Sequence, residues 1–181
     1  MLALEEARAR ILAALSPTGA ETVPLPEAWG RVLAAPIVAR LTQPPADVSA
    51  MDGYAVRAAD AVAGARRFVI GAAPAGHPFA GTVGPGQAVR IFTGAPLPAG
   101  ADAILLQEDA EAADGAVTVK ETVRPGRWIR RRGLDFAEGE VLLPAGRRLS
   151  ARDVGLAAAA NHPWLAVRRR PRIGILSTGD E

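Results

Sequence analysis

Asp47, Ser49 and Asp52 fall within one short window of Pro44-Pro45-Ala46-Asp47-Val48-Ser49-Ala50-Met51-Asp52-Gly53-Tyr54-Ala55-Val56. Two carboxylates and a hydroxyl in such a window can orient a ligand's donors or offer oxygen to a hard cation. Pro44 and Pro45 fix φ and lack N–H groups, so they make a stiff, extended approach. Asp52-Gly53 then reads in two ways. It is either a type I′ turn opening the strand Tyr54-Ala55-Val56, or a loop carboxylate presented by a rigid scaffold. Thr93 heads a second stiff loop, Thr93-Gly94-Ala95-Pro96-Leu97-Pro98-Ala99-Gly100, and either closes a turn or presents its hydroxyl from a fixed position. Arg130-Arg131-Arg132 forms a third focus. Three adjacent guanidiniums repel, so an anion or neighbouring carboxylates relieve them, unless the run is a solvated strand edge. Exposed arginine pairs contribute about 0.2–1 kcal/mol each, so the run can hold or steer an anion but cannot by itself drive bond cleavage.

The rest of the composition narrows the chemistry. The 181 residues contain no cysteine, which removes disulfides, thiolate nucleophiles and zinc-cysteine sites together. His77 and His162 are far apart and each stands beside a proline, which argues against a histidine metal site or a Ser/His triad. Gly81 to Gly86 is not a phosphate loop, because no Gly-Lys-Ser/Thr follows and Pro85 lacks an N–H. There is no run of eighteen apolar residues and no basic-then-apolar leader, so a cytosolic protein without a membrane span is expected. The net charge of +2 conceals a basic stretch from Arg124 to Arg172, twelve arginines against four acids. Nucleic-acid binding is nevertheless disfavoured, since aromatic content is 4% and no Arg/aromatic stacking platform is legible.

Periodicity supplies the elements that would carry these residues. Leu4, Ala7, Ile11, Leu12 and Leu15 predict an amphipathic helix over Leu2–Leu15. Thr22–Leu25 reads as extended, Glu27–Leu33 as a short helix, and Ile37–Ala39 as a strand. Phe68–Ile70, Ala88–Phe92, Ala103–Leu106 and Val117–Val119 have strand length between turn residues, the pattern of a small all-β domain. Ser150-x-x-Asp153 marks the capped start of a helix over 151–160, and Leu165–Val167 is a strand. Arg172–Ser177 reads as a parallel-sheet strand covered on both faces. It runs into Thr178-Gly179-Asp180-Glu181, where an α/β domain is expected to be cut off.

With those residues in place, the sequence resembles the N-terminal half of the molybdopterin molybdenumtransferases, the MoeA family that includes the gephyrin E domain. The resemblance rests on Ser49–Val56, on Ile91–Ala103 around Thr93-Gly94-Ala95-Pro96, on Ile129–Asp135, and on Ser177–Glu181. It implies an α+β fold, mostly β with a few helices. Residues 1–45 and 133–170 would form an elongated, dimerising first domain, residues 46–132 a β-rich second domain, and residues 171–181 the first strand of a truncated molybdopterin-binding α/β domain. It also implies insertion of molybdate into adenylated molybdopterin with release of AMP, using Mg²⁺, in a homodimer supplied by a molybdopterin adenylyltransferase. Carried over by motif position, Asp52, Thr93, Asp135 and Glu181 are the implied catalytic residues, with Asp52 also a metal ligand. Ser49, Arg130, Arg131, Arg132 and Asp180 are the implied substrate or anion contacts. The portion in hand is expected to be inactive by itself, and a non-catalytic dimerisation or scaffold module is the alternative.

Overall fold

A computed structural model describes residues 2–177. In chain order it contains α1 (Leu4–Ala13), β1 (Ala20–Pro24), β2 (Ile37–Val38), β3 (Val48–Ser49), β4 (Gly53–Val56), β5 (Arg66–Ala73) and β6 (Gln87–Ile91). Then follow β7 (Ala103–Leu106), β8 (Ala110–Ala113), β9 (Ala116–Val119), β10 (Ile129–Arg130), β11 (Val141–Leu143), α2 (Ala151–Ala159) and β12 (Trp164–Arg168). The fold is mostly β with two helices. Contacts divide it into two units, one formed by the chain up to Leu41 and again from Glu138, the other by Thr42–Ala137. Thr42–Pro45 and Gly133–Ala137 lie with the second unit, where the Gln43 N–H donates to the Phe136 carbonyl at 2.9 Å.

The first unit pairs β1 antiparallel with β12 and β2 with β11 around Val23, Leu33, Ile37, Leu149 and Leu165. The helix expected over Glu27–Leu33 is absent. A 3₁₀ turn occupies Leu25–Glu27, and Val32 and Leu33 bridge to Arg148 and Val167. Burial of Leu33 in the sheet core outweighs local helical spacing. His162 is buried with Nε2 2.7 Å from the Val38 carbonyl, a structural contact. The sequence run Arg172–Ser177 makes no strand; Ile173, Ile175 and Leu176 are 80%, 93% and 86% exposed. A parallel strand needs partners on its edges, and no described strand pairs with it. In α1, slightly shorter than the predicted helix, no residue is buried.

The predicted cap of α2 is complete. Asp153 Oδ2 accepts from the Ser150 N–H at 2.8 Å, and the Ser150 hydroxyl accepts from the Asp153 N–H at 3.3 Å. Arg147 meets the other oxygen at 2.9 Å and, together with the Ser150 N–H, lowers the Asp153 pKa from 3.8 to about 2. A carboxylate whose pKa folding depresses stabilises fully above its unfolded value and loses that contribution as pH falls towards the folded value. Asp153→Asn is therefore expected to remove about 2 kcal/mol at pH 7 and progressively less below about pH 4. Urea unfolding across that range checks it, and an equal deficit at pH 2 and pH 7 would contradict it.

The second unit holds a six-stranded sheet in the order β7-β4-β6-β5-β9-β8, in which only β5 and β6 run parallel. β7 and β8 form its two edges, yet only Gln107–Asp109 joins them. So short a link forces the sheet to curl until its edges approach. Side chains alternate between faces along a strand, and β4 shows it: Val56 packs with Leu105 and Val117, whereas Ala55 packs with Val89, Ile91 and Ile104. Core on both faces makes β4 a rigid central element, and Asp52 immediately precedes it.

Candidate functional site

The double-proline arm is positioned by backbone hydrogen bonds from the far side of the unit. The N–H groups of Gly133 and Asp135 donate to the carbonyls of Pro44 and Gln43, each at 3.0 Å, and Arg132 Nε donates to the Pro45 carbonyl at 3.2 Å. Downstream, β3 pairs antiparallel with β10, Ser49 opposite Ile129. Asp47 locks this arrangement. Its Oδ1 accepts from the Arg132 N–H at 2.8 Å and its Oδ2 from Arg131 Nη1 at 2.6 Å, and these contacts, the backbone one foremost, lower its pKa. The same segment grips the Thr93 loop: Leu97 N–H donates to the Asp47 carbonyl, Ser49 N–H to Ala95, and Gly94 N–H to Ser49, at 2.8–2.9 Å. Three motif segments distant in sequence thus meet on one scaffold.

Asp52 sits where they meet. Its Oδ1 accepts from the Thr93 N–H at 2.8 Å and from the Thr93 hydroxyl at 2.7 Å. Those two donors, first the N–H and then the hydroxyl, lower the Asp52 pKa, and the charge of Arg90 adds to them. The group is partly exposed, and no described donor meets Oδ2. Such a carboxylate stays ionised near neutrality and is a weak base. It suits orienting a ligand through Oδ2 better than abstracting a proton. Both readings of Thr93 hold in part: its loop does turn, with the Ala95 N–H donating to the Phe92 carbonyl, and its hydroxyl is fixed, but on Asp52.

Gly53 differs from its sequence reading. It lies inside β4, not in a type I′ turn, and it is not among the glycines with positive φ. A Cβ there would stand 2.1 Å from the Leu105 carbonyl oxygen. Close approach of β7 explains the glycine.

The remaining predicted residues divide by geometry. Ser49 is fully buried and its hydroxyl donates to the Met51 carbonyl at 2.6 Å, so it shapes the turn before Asp52 and does not face solvent as an anion contact would. Asp135 accepts both contacts of Arg130 Nη2, at 2.9 and 3.1 Å, and Arg131 is engaged by Asp47. Carboxylates therefore relieve much of the arginine crowding. Asp180 and Glu181 lie outside the described residues. Arg90 is the residue the sequence reading missed. It donates to the Gly53 carbonyl at 3.1 Å and to Gln107 Oε1 at 2.6 Å, and lies 5.1 and 4.9 Å from the ring centroids of Tyr54 and Phe92. A lone arginine amid the apolar run Ala88–Phe92, with an aromatic beside it, was the available signal.

The described residues do not assemble a metal centre, since no three Asp, Glu, His or Cys side chains are placed to hold an ion. No described helix is long and apolar enough to cross a membrane.

The MoeA N-terminal region (domain I and II) matches residues 2–161. The chain belongs to the MoeA N-terminal family. It is 42% identical over 166 residues to a molybdopterin molybdenumtransferase of Nostoc sp., covering 89% of this chain and 38% of the relative. Its identity to the molybdopterin molybdenumtransferase of Haemophilus influenzae is 39% over 183 residues, covering all of this chain and 45% of the relative. The crystal structure of a molybdopterin biosynthesis MoeA protein from Pyrococcus horikoshii superposes with a TM-score of 0.81 at 37% identity, covering 84% of this chain and 42% of that one. The MoeA-family chain described here thus spans less than half the length of the curated relatives it matches.

Proposed function

We propose that this chain serves molybdenum cofactor biosynthesis as the first two domains of a molybdopterin molybdenumtransferase, which inserts molybdate into adenylated molybdopterin and releases AMP. One observation carries the reading. The Asp52 and Thr93 motifs, separated by 41 positions, converge on a single oriented carboxylate, in a chain 42% identical to a protein of that name. In this reading Asp52 positions the substrate through Oδ2, and Thr93 and Arg90 hold it ionised. Arg130 and Arg131, each already paired with a carboxylate, and Arg132 are the guanidiniums offered to molybdate or phosphate. The resemblance also assigns Glu181 and Asp180 to the reaction; both lie outside the described residues. A magnesium ion would find at Asp52 one available carboxylate oxygen, too few to fix it, so the steps above depend on this chain's own hydrogen bonds and charge.

Homodimerisation and supply by a molybdopterin adenylyltransferase are part of the proposal. The exposed apolar side chains of α1, Leu4 at 80% and Ile11 at 63%, support the former by giving a second copy a surface to bury. The test is a graft: residues 2–161 replace the matched part of the Nostoc relative in a bacterial strain lacking molybdenumtransferase. Restored molybdoenzyme activity is expected. A graft that folds and dimerises but restores nothing would favour the scaffold alternative.

A further inference from the structure

The second unit contains a polar cavity of about 260 Å³ beside the edge strand β7, and nothing in the proposed transferase reading uses it. Its walls include Asp109, Glu121, Thr122, Arg124, Arg127 and Trp128. Arg124-Pro125-Gly126-Arg127 forms the rim as a tight turn, with the Arg127 N–H donating to the Arg124 carbonyl at 3.2 Å and Gly126 at φ +77°. Proline followed by a positive-φ glycine is the type II pattern. That turn sets Arg124 and Arg127 side by side, and it is anchored: the Gly126 N–H donates to the Asp102 carbonyl at 2.7 Å, and the Arg127 carbonyl accepts from Ile104 at 3.0 Å. Neither guanidinium has an ion-pair partner among the described residues.

Trp128 is the anomaly. Its φ is +58°, a left-handed conformation that bulky side chains adopt rarely and at a cost. Arg127 covers its ring, with the guanidinium carbon 4.8 Å from the centroid. The strained tryptophan therefore presents a flat, cationic wall to the cavity, the Arg/aromatic platform that the sequence reading did not find.

Two arginines and two acids leave this lining without net charge, so a simple anion or cation gains little from it. A ligand with an anionic group at one end and hydrogen-bond donors at the other uses both halves, and a flat ring between them uses the wall. We propose that this cavity binds a nucleoside monophosphate. The phosphate lies on Arg124, the base against Arg127 and Trp128, and the ribose or amino donors on Asp109, Glu121 and Thr122. At about 260 Å³ the cavity falls just below the usual size of ligand pockets, about 300–1,000 Å³, which suits a mononucleotide better than a dinucleotide. The proposal is independent of transferase activity.

Calorimetric titration of the 181-residue chain at low salt tests it, using AMP, GMP, adenosine and inorganic phosphate as separate probes. At least one nucleotide is expected to bind about tenfold more tightly than phosphate, the scale of one base stacked on an aromatic side chain, and about tenfold more tightly than adenosine, the scale of one charge-assisted contact from Arg124 to the phosphate. Trp128→Asn places a residue that tolerates positive φ at the same turn. It should keep or raise the melting temperature while weakening the nucleotide about tenfold. Arg124→Gln should reduce nucleotide affinity to that of adenosine. Nucleotides that bind no better than phosphate or adenosine, or a folded Trp128→Asn variant with unchanged affinity, would overturn the proposal.

Discussion

Gly53→Ala is expected to destabilise the second unit by at least about 3 kcal/mol, the upper range for forcing one methyl group into a packed core. The added carbon would stand 2.1 Å from the Leu105 carbonyl oxygen and 3.0 Å from its carbonyl carbon. Both are backbone atoms of a paired strand and cannot rotate aside. Relief requires β4 and β7 to separate, which breaks the register Tyr54↔Leu105, Ala55↔Ile104 and Val56↔Ala103 that holds the edge strand β7 on the sheet. Amide hydrogen exchange across β4, β6 and β7 reads this locally, without relying on one unfolding transition for two units. Gly19→Ala is the control, since its Cβ meets nothing within 4 Å, and it should shift stability by less than about 0.5 kcal/mol. Protection in β4 equal to that of the unaltered chain would refute the close-approach explanation.

Gly53 also shows where the sequence was legible and where it was not. Ser150 and Asp153 announced their cap because a capping box is written within four positions, and the strands β6, β7 and β9 were readable from short apolar runs between turn residues. The two-residue strands β3 and β10 were not, because each exists only through the other across the unit. Ala110–Ala113 has no β-propensity, and its pairing with β9 makes it a strand. The same distinction runs through the site. The motifs identified Asp52, Thr93 and the arginine run, but which oxygen Thr93 binds, that Asp47 takes Arg131, and that Ser49 is buried are long-range facts. Propensity and spacing are local, and these contacts span 41 to 85 positions.

Asp52→Ala, placed in the grafted enzyme, is expected to lower molybdoenzyme reconstitution by about 10²-fold, the cost of losing one well-placed orienting group. The geometry predicts a graded series beneath that value. Thr93→Val removes the hydroxyl donor at 2.7 Å but keeps the N–H at 2.8 Å, so the carboxylate stays in place with one restraint fewer and the loss should be smaller. Arg90→Met removes the charge that favours the ionised form and the contact to the Gly53 carbonyl, and should act in the same direction as Thr93→Val. Acid dependence separates orientation from charge. Folding lowers the Asp52 pKa below 3.8, chiefly through the Thr93 N–H, so the ionised form is complete above that value and is lost only as pH falls through the folded one. The unaltered graft should therefore show no acid limb from Asp52 above about pH 4. Thr93→Val and Arg90→Met should each move such a limb upwards. Undiminished reconstitution with Asp52→Ala would remove Asp52 from the site, whereas a large loss with Thr93→Val and no shift in the acid limb would make Thr93, not Asp52, the group that meets the substrate.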